Sequence, residues 1–218
     1  MVRFCSDVDI ARYEPVLFGE LSLPWQEKAS GEDGQLEGVS FSSSGADFTE
    51  AGIEAGDVIH LQSADGSVEG IYEVVSVDSQ TQLTVSVIRA DSQEALIAPP
   101  AGEDIIYRIR TFEAQSVEAS FRLTEYFGIK PGRMASELAA EDIYDTGPLK
   151  RVSAFLVISS LYAMLASGAK DENFWAKSLY YKNLFERARE RCRLSFDTDG
   201  DGVIDVTLSG GSGRLVRE

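Results

Sequence analysis

Asp197, Asp199 and Asp201 alternate along the run Phe196-Asp197-Thr198-Asp199-Gly200-Asp201-Gly202-Val203-Ile204-Asp205. Alternating carboxylates followed by glycine are how a chain wraps oxygen ligands around Ca²⁺. The three carboxylates converge only if the backbone turns sharply, which Gly202 permits, and the carbonyl of Val203 and the carboxylate of Asp205 complete the candidate ligand set. The bidentate Glu that closes an EF-hand would stand where this chain has Leu208, so the spacing describes a shorter structural loop, Asp-x-Asp-x-Asp-Gly-x-x-Asp. The same residues also fit a hydrogen-bonded Asx/Gly turn that caps the preceding helix and holds no ion. Both readings stay open at this point, and Ca²⁺ in a structural role is the one cofactor the sequence suggests.

The other reactive side chains give catalysis little to work with. The single histidine, His60, sits in an alternating strand pattern with no Ser or Cys constellation beside it, which describes a half-exposed strand residue. No phosphate-cradling glycine loop leads from a strand into a helix. Cys5 and Cys192 lie far apart without metal-ligand spacing and read as reduced thiols of a cytoplasmically made protein. We therefore expect no enzymatic activity. Phe174-Trp175 and Tyr180-Tyr181 have helical spacing that suits a core or a subunit interface better than base stacking, and Arg187, Arg189, Arg191 and Arg193 read as solvated or inter-subunit charges.

The elements that must position these residues fall into distinct stretches. Ser6-Asp7-Val8-Asp9-Ile10 opens like a capped helix with Ile10, Tyr13 and Leu17 on one face, and Pro15 ends or kinks it. Residues 1–18 are expected to join a C-terminal helical bundle. Residues 19–46 are Gly- and Ser-rich without a sustained period and read as a connection with one short strand near Gly38–Phe41. Short β-branched runs follow at Asp57–Gln62, Gly70–Val77, Leu83–Val87 and Ile105–Arg110, split by an Asp65-Gly66 turn, the Asp78–Gln82 turn and the Pro99-Pro100 loop. They predict a small antiparallel barrel or curled sheet inserted over 38–112. Helices are predicted over Phe112–Phe127, Leu149–Leu165 and Asn173–Arg193, making 113–196 the bundle, 197–205 the Asp-rich loop and 206–218 a docking tail. The expected class is α+β.

The net charge of −16 is unevenly placed: residues 1–149 hold 9 Lys/Arg against 27 Asp/Glu, and residues 150–218 hold 11 against 9. Such a balance argues against general affinity for duplex nucleic acid, which depends on basic neutralisation of phosphates. The start of the chain lacks a basic region followed by an apolar run, and the longest apolar stretch, Ala154–Leu165, reads as too short to span a bilayer. The tail, with Arg214, Leu215, Val216 and Arg217 after a Gly/Ser hinge, reads as a segment that orders on a partner along an exposed sheet edge.

Taken together, these segments resemble the head-to-tail adaptor, or neck connector, proteins of tailed bacteriophages and gene transfer agents. The likeness rests on Ser6–Pro15, on the late helices 149–165 and 173–193, and on Asp197–Asp205 followed by Arg214–Arg217. The stretch Gly45–Ile59 is similar to a small β-domain inserted in some phage neck and tail proteins. The resemblance implies a virion protein that forms a homo-oligomeric ring, usually a dodecamer, beneath the portal. Such a ring hands DNA through an acidic lumen, without specific binding, to the next neck protein, a stopper or tail terminator. It implies that Leu215 and Val216 anchor in the portal while Arg214 and Arg217 meet portal acids, with no membrane involved. A tail-completion or stopper protein of the neck and a Ca²⁺-dependent extracellular adhesion module are the competing readings.

Overall fold

Alternation of apolar and polar residues from Val58 onward commits the middle of the chain to strands, and the computed structural model closes them into a barrel. It describes residues 2–19, 21, 26–169, 172–210 and 212–216, with 169 and 212–216 described by their backbone alone. The chain divides into two compact units: Asp7–Phe112, and a second made of residues 1–6 together with 113–218.

The Asp7–Phe112 unit holds a short helix α1 (Asp7–Ala11), a 3-10 turn (Pro15–Phe18) and six strands: β1 (Glu27–Glu37), β2 (Ser40–Ser43), β3 (Val58–Gln62), β4 (Glu69–Ser79), β5 (Gln82–Val87) and β6 (Gly102–Arg110). All pairs are antiparallel, and the order β1-β2-β5-β4-β3-β6 closes on itself, leaving no free sheet edge. Inward residues alternate along the strands, as Ile59 and Leu61 on β3 and Ile105, Tyr107 and Ile109 on β6. The centre of the core is an aromatic trio, Phe41, Phe48 and Tyr107, with ring centroids 5.2 to 6.2 Å apart.

Two expectations are corrected in this unit. Residues 19–46 are not mainly a connection, because β1 runs for 11 residues there. Its glycines are packing surfaces: a Cβ on Gly31 would stand 2.6 Å from the Tyr107 ring, and one on Gly34 would stand 2.8 Å from Phe41. The opening segment is also not a helix joining the later helices, since α1 has five residues and belongs with the barrel. Pro15, which cannot donate to a continuing helix, starts the 3-10 turn, and Arg110 fixes that turn by donating from Nη1 to the carbonyls of Phe18 (2.9 Å) and Gly19 (3.0 Å).

The other unit contains α2 (Glu113–Phe127), α3 (Gly147–Ala169), α4 (Glu172–Arg191) and a three-stranded sheet of β7 (Arg193–Phe196), β8 (Val206–Ser209) and β9 (Ser212–Val216), in that order. α3 and α4 run antiparallel along each other: Phe155 meets Tyr181, Tyr162 meets Phe174, and Ser159 and Ser178 exchange hydroxyl-to-carbonyl bonds of 3.0 and 2.9 Å. Those reciprocal bonds satisfy two buried hydroxyls inside an apolar seam. A separate core of Phe4, Leu123, Leu149, Val152, Cys192, Leu194 and Phe196 joins the helices to the sheet. α3 extends well beyond the apolar stretch read from sequence. Among the described residues its span Gly147–Gly168 is the one long and apolar enough to cross a membrane, and more than half of its apolar stretch is buried inside the protein, as in a core helix.

Candidate functional site

The Asp-rich segment is the loop of a β-hairpin. β7 and β8 pair with Phe196 opposite Val206, and the loop is pinned at both feet: Asp197 donates its N–H to the Asp142 carbonyl and Asp205 donates to the Phe196 carbonyl, each at 2.9 Å. This corrects the expectation that the loop caps the last helix, because β7 intervenes between α4 and Asp197. Gly200 and Gly202 have φ of +77° and +84°, the left-handed region that glycine enters without cost, which lets the chain double back.

Inside the loop the carboxylates of Asp197, Asp199 and Asp205 bring one oxygen each within 4.8 Å of one another. Asp197 accepts from the N–H groups of Gly200 (2.7 Å) and Gly202 (2.9 Å), and Asp205 accepts from the Thr198 N–H (2.8 Å) and hydroxyl (2.6 Å). The bonds from Thr198 hold the Asp205 carboxyl below its ordinary pKa, so it is ionised at neutral pH. Asp201 stands outside this trio and instead accepts the Val203 N–H at 2.8 Å. Three carboxylates this close suit a hard cation that takes its remaining oxygens from carbonyls or water. The same bonds also make a self-satisfied Asx-type loop.

The tail residues Arg214, Leu215 and Val216 lie in β9, which pairs with β8 through Thr207–Val216 and Ser209–Ser212. The tail is therefore a strand of its own sheet rather than a detached extension, as the β propensity of Val206–Leu208 and a Gly-containing turn allow. Arg217 lies outside the described residues.

Two further features depend on distant pairings. His60 faces a groove of about 800 Å³ on the barrel unit, lined also by Val16, Ile71, Val87, Arg12 and Arg89. Burial, and then the charges of Arg110 and Arg108, push the His60 pKa below its ordinary value, which keeps the ring neutral at pH 7. The two groove arginines are already engaged: Arg12 donates to Asp9 and to the Arg89 carbonyl, while Arg89 donates to Glu73 and to the carbonyls of Ser92 and Glu94. The groove thus offers an apolar surface with a neutral imidazole and the exposed carboxylate of Glu69.

The second feature is a clasp at the ends of the barrel unit. Asp7, only 3% exposed, accepts the Phe112 N–H at 2.8 Å through Oδ1, while its buried Oδ2 has no hydrogen-bond partner. Burial pushes this carboxyl up to about 7, with smaller opposing effects from its hydrogen bonds to Phe112 and Thr111. No sequence signal marks it, since the partner is 105 residues away. Cys5 and Cys192 are both buried thiols outside any disulfide, with Cys5 Sγ donating to the hydroxyls of Ser116 and Ser153, and burial raises the Cys192 thiol to about 11, which suppresses the reactive thiolate.

The chain matches no protein-family model, no curated protein and no solved structure.

Proposed function

We propose that the chain is a structural adaptor of a phage or gene-transfer-particle neck, assembling as a homo-oligomeric ring that binds the portal and connects it to the next neck protein. In this reading α2, α3 and α4 form the adaptor's helical bundle, and the barrel is a docking module carried on it. The protein turns over no substrate and resides in the virion, and its acidic surface lets DNA pass without sticking. The loop carboxylates of Asp197, Asp199 and Asp205 hold Ca²⁺ in a structural role.

The observation that carries the reading is the position of Arg214–Val216 in β9, the outer strand of its sheet. Among the described residues nothing pairs with that outer edge, and a free edge takes a partner strand through backbone hydrogen bonds. The residues that resemble the portal-gripping end of the adaptors therefore stand where augmentation by another chain is possible. The closed barrel favours a second reading, a tail-completion or stopper protein, because those are commonly β-rich.

Native mass spectrometry of the chain mixed with its co-encoded portal tests the reading. A ring on the portal that is lost when the chain is cut after Gly210, with helices and barrel intact by circular dichroism, is the expected result. Absence of any portal complex from the full chain overturns it. Binding to a tail protein instead selects the stopper reading.

A further inference from the structure

α4 does not spend all of its apolar residues on the core. Tyr180, Leu184, Arg187 and Arg191 recur at helical spacing and form one stripe, along which Tyr180 is 58% exposed, Leu184 half-buried and both arginines exposed. Among the described residues Arg187 and Arg191 have no carboxylate partner. A helix face with an aromatic, an aliphatic and two free guanidinium groups is an interface in search of an acidic, partly apolar counterpart.

Such a counterpart exists on the same chain's barrel unit. Residues 7–112 carry 5 Lys/Arg against 20 Asp/Glu, whereas the helical unit carries 15 against 16. The acids concentrate where β1 pairs with β6: Glu32, Glu37, Glu103 and Asp104 are all exposed, and none has a cationic partner among the described residues. The register sets Leu36 opposite Gly102, which puts Glu37 and Glu103 on neighbouring strands at one end of that ladder.

We propose that the α4 stripe of one copy docks on the β1–β6 acidic face of the next copy, a head-to-tail contact between different surfaces. Two chains of charge −16 repel at long range, but at 0.1 M salt that repulsion is screened beyond about 10 Å, whereas charges in direct contact are screened far less. The local pairs therefore decide the contact, with Tyr180 and Leu184 supplying the buried apolar part. The inference deepens the ring reading and rests on it for closure of the ring. Its test uses the chain alone, so failure of this contact and failure of portal binding appear in different experiments.

Sedimentation of concentrated protein at 0.1 M salt should show self-association that weakens at 1 M salt. Arg187→Glu with Arg191→Glu should lower the association constant at least about tenfold, and Glu37→Lys with Glu103→Lys should do the same. The decisive sample is the mixture of the two double variants, in which the reversed charges again complement one another and association should return. Arg187→Gln with Arg191→Gln, which introduces no repulsion, should give an intermediate loss and guards against misfolding. Wild-type association by the Arg187/Arg191 variant, a mixture that stays monomeric, or a monomeric wild-type chain would overturn the proposal. So would duplex DNA binding that depends on Arg187 and Arg191 in a chain that does not self-associate.

Discussion

Asp7 holds the Phe112 amide with a carboxyl that burial makes hard to ionise, and this fixes the sign of its pH dependence. Its folded pKa of about 7 lies above the ordinary 3.8, so the folded state binds the proton more tightly. Its contribution is most favourable below pH 4 and is lost as pH rises toward and through 7, a penalty of about 4 kcal/mol at the limit. Asp7→Asn keeps an acceptor for Phe112 without a titrating charge. We expect this variant to be more stable than wild type at pH 8 and to lose part of the melting-temperature drop between pH 5 and pH 8 followed by circular dichroism; an unchanged profile would show that the carboxyl is not the source. At the Asp-rich loop, Ca²⁺ should raise the melting temperature of the helical unit. Asp199→Asn should remove that increment and Asp201→Asn should leave most of it, because Asp199 belongs to the converging trio and Asp201 is turned to Val203. Equal loss in both variants would return the site to the full alternating set read from sequence.

Strands marked by alternation, β3 to β6, helices marked by period, α2 and α4, and the continuously apolar helix α3 were legible at the element scale because each pattern is local. β1 was not, because Glu27–Glu37 carries few inward side chains and its glycines look like turn signals until Tyr107 and Phe41 are seen lying against them. The same physics hid half of the candidate site. Asp197, Asp199 and Asp205 stand close in sequence and were visible, whereas the Asp7 clasp and the His60 groove exist only after β3 and β6 have paired. β1 supplies its own test. Gly34→Ala would drive a Cβ to 2.7 Å from the Ile105 carbonyl and 2.8 Å from the Phe41 ring. Overpacking of this kind costs about 1–3 kcal/mol, so the barrel should unfold at lower urea concentration, while Gly38→Ala, at a turn with open space around it, should show only the milder cost of its positive φ. Comparable losses in both variants would mean that the glycines of β1 serve the turn and not the packing.

For the molecule as a whole, the chain leaves its helical unit after Ser6 and re-enters it at Glu113, so a closed barrel is inserted into a unit assembled from both sides of it. Each unit owns a core: Phe41, Phe48 and Tyr107 in one, Leu123, Leu149 and Phe196 in the other. A barrel without free edges has satisfied its own backbone, and its stability therefore depends on its interior rather than on neighbouring helices. Calorimetry should accordingly resolve two transitions. Phe48→Ala, which empties a fully buried site at a cost of about 3–5 kcal/mol, should lower one of them and leave the other in place. Leu123→Ala, at about 2–5 kcal/mol, should lower only the second. If either variant shifts a single shared transition, the units unfold together. In that case the charge asymmetry between an acidic barrel and a nearly neutral helical unit would act within one cooperative body instead of between two separable ones.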